Sequence, residues 1–114
     1  MDLKKIRNRL RNFATDRDWE QFHNPKNLTI ALSVEVSELL EIFQWSKNGG
    51  LDEINDEKTK KDIEREIADV FNYIVRLSDI LNIDIEKVAH RKIDENEIKY
   101  PIEKFKGSSR KYNK

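Results

Sequence analysis

Cysteine is absent from the 114 residues, which excludes disulfides and thiolate metal sites and leaves carboxylate, imidazole and carbonyl groups as the available metal ligands. Such a donor set favours hard ions, magnesium among them. Net charge is also lacking. Lys plus Arg number 22 and Asp plus Glu number 22, so the chain has no overall basic field to gather a nucleic acid polymer or an anionic membrane. Long hydrophobic runs are missing too: the opening stretch MDLKKIRNRLRNF interleaves charge with apolar residues, so neither a signal peptide nor a membrane span is expected. A cytoplasmic protein is the default. Glycine and proline are scarce, and Gly49-Gly50, Pro25 and Pro101 stand where helices are expected to break or begin.

What is abundant is charge, at 39% of residues against 37% hydrophobic, a balance that suits amphipathic helices with solvated outer faces rather than a buried sheet. The length is that of one domain. Leu3, Ile6, Leu10 and Phe13 recur at steps of three and four behind an Asp2 cap and predict a helix over residues 2–16. Residues 17–23, RDWEQFH, carry two large aromatics without a period and read as a loop. Asn24-Pro25 then opens a second helix, its face traced by Leu28, Ala31, Leu32, Leu39, Ile42 and Phe43, running to about Trp45. A connecting loop follows over residues 46–56.

The third helix has the strongest pattern, with Ile63, Ile67, Val70, Ile74, Leu77 and Leu81 at alternating steps of four and three. Asp84 caps a fourth helix, which ends near residues 96–99 because Tyr100 precedes Pro101. The expected fold is an all-α four-helix bundle over residues 1–100, with a basic tail over residues 101–114. The Ile and Leu content of the third helix is enough to pack against a second subunit as well.

Carboxylates interrupt these apolar stripes. Glu35 takes the missing middle rung between Leu32 and Leu39, and Glu38 lies one turn beyond it. Glu66 and Asp69 lie beside Ile67 and Val70. Residues three apart on a helix are surface neighbours, so each pair aims two carboxylates at one region, and antiparallel helices would bring the pairs together. Four carboxylates in a groove of low dielectric repel one another until protons or a cation neutralise them, and magnesium suits an all-oxygen shell shared with phosphates. The alternative for either pair alone is a solvated flank paired with Lys or Arg.

Glu35-Val36-Ser37-Glu38 followed by Glu66-Ile67-Ala68-Asp69 resembles the ExxE…ExxD signature of the all-α nucleotide pyrophosphohydrolases, the MazG-like superfamily, and within it the dCTP pyrophosphatase branch. The supporting blocks are residues 17–23 with Pro25 and Asn27-Leu28, then Phe43-Gln44-Trp45, Tyr73, Lys92, Asn96, Tyr100-Pro101 and Ser108-Ser109-Arg110-Lys111-Tyr112. The resemblance implies hydrolysis of a nucleoside triphosphate between the α and β phosphates, with Mg2+ held by Glu35, Glu38, Glu66 and Asp69. It further implies that Trp19 and Trp45 enclose the base with His23 nearby, that Tyr73 faces the nucleoside, and that Lys92, Asn96 and Tyr100 hold phosphate, sugar or base. Arg110 and Lys111 in the basic tail are candidates for closing over the triphosphate. Glu41 is an auxiliary candidate for metal or for the attacking water, with a surface role as its alternative. The implied assembly is a homotetramer built from dimers, a plain dimer being the alternative. Arg65 stands where close relatives often carry another acid, which weakens the case for a fifth carboxylate from this motif. Rival readings are a dUTP or broad-specificity pyrophosphatase and, from another class, a non-catalytic nucleotide-binding helical module.

Overall fold

A computed structural model describes residues 1–108. Among the described residues there are five helices: α1 (Leu3–Asp16), α2 (Pro25–Phe43), α3 (Glu57–Ile80), α4 (Ile85–Lys99) and the short α5 (Ile102–Phe105). Single 3₁₀ turns occupy Glu20–Phe22 and Leu51–Ile54, and no strand occurs among the described residues. The all-α expectation therefore holds. Each of the four long helices starts on a side-chain cap in which an Asp or Asn oxygen accepts a backbone N–H three residues on. Asp2 accepts from Lys5 at 3.0 Å, Asn24 from Asn27 at 2.8 Å, Asp56 from Thr59 at 2.9 Å and Asp84 from Lys87 at 3.1 Å. Such caps are worth about 1 kcal/mol apiece. α2 stops at Phe43, two residues short of expectation, because the Gln44 N–H turns back to the Glu41 carbonyl in a tightened last turn. α5 was not anticipated; the Pro101 carbonyl accepts from both Lys104 and Phe105 and winds one turn there.

The chain forms two compact units, Met1–Asn82 and Ile83–Lys114. In the first, α2 and α1 both pack on α3. Its buried residues are Ala14, Leu28, Val75 and, unusually, Arg76. In the second, the Tyr100 and Phe105 rings meet edge to face at 5.0 Å. No residue of α4 is fully buried. No described helix is long and apolar enough to cross a membrane.

α3 departs from its expected seam at one rung. Ile67, expected on its apolar seam, is 54% exposed, while Glu66 takes the sheltered position between Ile63, Val70 and Tyr73. Ile63, Val70, Ile74 and Leu77 keep the expected sheltered face, and at the Ile67 rung a carboxylate takes the place of the isoleucine.

Candidate active site

Caps fix where each helix begins, and helical spacing then delivers the acids. From the Asn24 cap, α2 turns Leu28, Ala31, Leu32, Glu35 and Leu39 toward shelter, so Glu35 stands in an apolar row as its position implied. α3 does the same with Ile63, Glu66, Val70 and Tyr73. Glu35, Glu38 and Glu66 each offer an oxygen, and these oxygens all lie within 4.8 Å of one another. Asp69 stands outside that cluster, yet close enough that its charge acts on both Glu35 and Glu66. Glu41, exposed on α2, is not part of it.

The cluster is electrostatically incomplete. One oxygen of Glu35 and one of Glu66 are shut off from solvent without a hydrogen-bond partner. An unmatched buried anion is costly, so it gains either a proton or a cation. Burial, reinforced by Glu38 and Glu66, pushes Glu35 up to about 7, and burial raises Glu66 as well. A proton on Glu35 bridges toward Glu66; a hard dication would satisfy all three groups at once. Three oxygen donors with two orphaned lone-pair sites fit magnesium or a similar ion.

A stability signature follows. Because the folded-state value of Glu35 is raised, the stabilisation tied to its protonated form is complete below about 4.5 and lost as pH climbs to about 7. At pH 8 without metal, Glu35→Gln is expected to be more stable than the native chain by about 1–2 kcal/mol, after allowance for solvent screening. Urea denaturation in a chelator at pH 5 and pH 8 checks this; parallel behaviour of the two proteins would refute it.

Beside the acids opens a cleft of about 580 Å³ whose walls include Trp19, His23, Asp69, Asn72, Tyr73 and Arg76. Trp19 reaches it through the way α1 ends. Asp18 adopts the left-handed conformation at φ 54°, its N–H bonds to the Thr15 carbonyl, and the Trp19 N–H bonds to the Ala14 carbonyl at 2.9 Å. This paired closure turns the chain sharply off the helix, and Asp tolerates it better than a branched residue would. Trp19 then meets Phe13 edge-on at 5.7 Å and His23 at 6.5 Å. Asn27 donates to the Phe22 carbonyl and ties this loop to α2. Burial, with Glu35 and Asp69 adding to it, raises the Tyr73 hydroxyl, which stays a phenol.

Asp69 joins the two regions, belonging to the cleft wall and to the field of the acids. Trp19, His23 and Tyr73 are thus brought together, whereas Trp45, 86% exposed beyond the end of α2, does not line the cleft. Lys92, Asn96 and Tyr100 belong to the second unit, where Lys92 pairs with Glu95 at 3.4 Å. Arg110 and Lys111 lie outside the described residues. Sequence reasoning missed Asn72, Arg76, Asp79 and Arg11. For Arg76 a signal existed, a charge amid Ile74, Val75 and Leu77, the same anomaly that singled out the acids.

Known proteins resemble this chain in sequence and in fold. The family model described as MazG-like matches residues 30–114. The chain is 38% identical over 111 residues to dCTP pyrophosphatase 1 of Rattus norvegicus and 39% identical over 111 residues to that of Homo sapiens. In each case 96% of this chain is covered, and the chain spans 65% of the relative's length. The crystal structure of a pyrophosphatase from Archaeoglobus fulgidus superposes with a TM-score of 0.80 at 41% identity, covering 89% of this chain and 94% of that one. A family pattern over most of the residues and a shared helical fold converge on one assignment: the chain belongs to the MazG-like family.

Proposed function

We propose that this protein is a magnesium-dependent nucleoside triphosphate pyrophosphohydrolase that converts dCTP, or a modified dCTP, to the monophosphate and pyrophosphate and so removes unwanted nucleotides from the pool. The observation that carries this reading is the pair of orphaned, buried carboxylate oxygens on Glu35 and Glu66 beside Glu38. The similarity to proteins named dCTP pyrophosphatase 1 supports the substrate.

In this reading Glu35, Glu38, Glu66 and Asp69 hold the ion. Bound there, magnesium supplies Lewis acidity at the phosphoryl oxygens and offsets their charge. The nucleoside lies in the cleft against Trp19 and Tyr73, whose flat faces stack a base, and Trp45 covers it from elsewhere in the assembly. Water adds at phosphorus, the bridging α–β bond breaks, and a carboxylate left free of metal accepts the water's proton. Lys92, Asn96, Tyr100, Arg110 and Lys111 contribute countercharge and hydrogen bonds to phosphate and sugar. No covalent intermediate with the protein is needed.

The working form is a homo-oligomer, a tetramer made of two dimers. Its support is the quantity of apolar surface left uncovered, with Leu40 66% and Ile98 82% exposed while Ala14, Leu28 and Val75 make up the buried apolar core.

A panel of nucleoside triphosphates incubated with MgCl2 tests the proposal. Monophosphate and pyrophosphate should appear in equal amounts, fastest with dCTP or a 5-modified analogue, and a chelator should abolish both. Release of orthophosphate would overturn the cleavage position, and turnover unaffected by the chelator would overturn the metal.

A further inference from the structure

Arg76 is the most deeply buried charged residue described, at 6% exposure, and it lies on the cleft wall. Guanidinium groups only donate hydrogen bonds. Its Nε donates to Nδ1 of His23 at 3.0 Å, and its terminal nitrogen reaches Asp79 at 3.5 Å. Asp79 is in turn gripped by Arg11 through two bonds of 2.6 and 2.5 Å. The chain Arg11–Asp79–Arg76–His23 therefore runs from the surface of α1, across α3, to the loop beside the cleft.

This geometry determines the histidine's chemistry. An Nδ1 that accepts from Arg76 carries a lone pair, so the ring proton resides on Nε2. Nε2 is then the ring nitrogen that Arg76 leaves unengaged, on a residue that lines the cleft. Burial and then the Arg76 charge disfavour a second proton on the ring, against a smaller opposing pull from Glu20.

We propose that Arg76 is a positioning residue that fixes His23 as an Nε2–H donor, so that a nucleobase in the cleft is recognised there through a hydrogen-bond acceptor, a carbonyl oxygen or an unprotonated ring nitrogen. The inference rests on the cleft being the nucleoside pocket, as proposed above. It goes further by naming the atom type read on the ligand and the residue that sets the reader. An exocyclic amine, which donates, is refused at this point, because donor faces donor.

Two measurements on the full chain test it. Nitrogen-15 spectra of the histidines, with His23 separated from His90 by a His90→Gln variant, should show a proton on Nε2 and a bare Nδ1. Arg76→Met should abolish that single tautomer and give averaged shifts. The second measurement is calorimetric titration with MgCl2 and the α,β-imido analogue of dCTP, which needs no turnover. His23→Asn keeps an acceptor near Arg76 and loses the Nε2 donor, so its Kd should rise about tenfold. His23→Gln, which returns an amide N–H near the Nε2 position, should recover part of the loss. A proton on Nδ1, a charged ring, or an unchanged Kd in His23→Asn would overturn the inference while leaving the pyrophosphohydrolase reading intact. Failure of the native chain to bind the analogue at all would overturn both, whereas tight binding without hydrolysis of dCTP would overturn only the enzymatic reading.

Discussion

Replacement of Glu38 by alanine is expected to lower pyrophosphate release by about 100- to 1000-fold with the fold undisturbed, the scale typical of removing a group that stabilises developing charge. Glu38 is the exposed member of the acidic cluster, so truncating it opens no cavity. Its loss leaves Glu35 and Glu66 with two donors where three converged, which weakens the hold on a dication. The deficit should shrink as MgCl2 is raised if metal affinity is what was lost. Initial rates at several magnesium concentrations, beside a melting curve, check this. Near-native turnover in a folded Glu38→Ala protein would remove Glu38 from the site, and a helical module without catalysis would show no change because it had nothing to lose.

Asp79→Ala is expected to cost about 3 kcal/mol of stability, since removing one partner of a buried ion pair strands the other charge. The Asp79 side chain is 9% exposed and lies between Arg11 and the buried Arg76. Without it, Arg76 keeps only a neutral imidazole for company. The hydrogen bond from Arg11, followed by the Arg11 and Arg76 charges, holds the Asp79 carboxyl below the ordinary range. Its stabilisation is therefore present above that ordinary range and disappears as pH falls through the lowered value. Urea denaturation at pH 7 and at acidic pH, at fixed protein concentration, should show the two proteins far apart at the first and converging at the second. Asp79→Asn, which keeps shape and acceptor, should recover part of the loss; equal stability of native and alanine proteins at pH 7 would contradict the argument.

The two networks differ in how visible they are from residue order. The acids announce themselves because a helix repeats every 3.6 residues, and a carboxylate on an apolar rung violates the pattern locally. Glu35 between Leu32 and Leu39 needs no tertiary knowledge, and its sheltered position matches that reading. The face of α3 is less legible. Ile67 and Glu66 are adjacent, 100° apart on the helix, and hydropathy favours the isoleucine; the structure shelters the glutamate and exposes the isoleucine. Enclosing Glu66 beside Glu35 and Glu38 adds repulsion to desolvation, a cost that only a proton or a cation shared among them offsets, and that sharing depends on the second helix being there.

Local chemistry alone determined the helices and their starts, since an Asx cap, a proline at a first turn and the period of apolar residues act over a few neighbours. It also excluded thiolate ligands, since no cysteine is present. Tertiary structure decided which acids converge, leaving Asp69 at the junction with the cleft, and it built the Arg11–Asp79–Arg76–His23 chain. Arg11 and Asp79 are 68 residues apart and His23 and Arg76 are 53 apart. A hydrogen bond depends on separation in space and on direction, and periodicity along one helix says nothing of a partner on another.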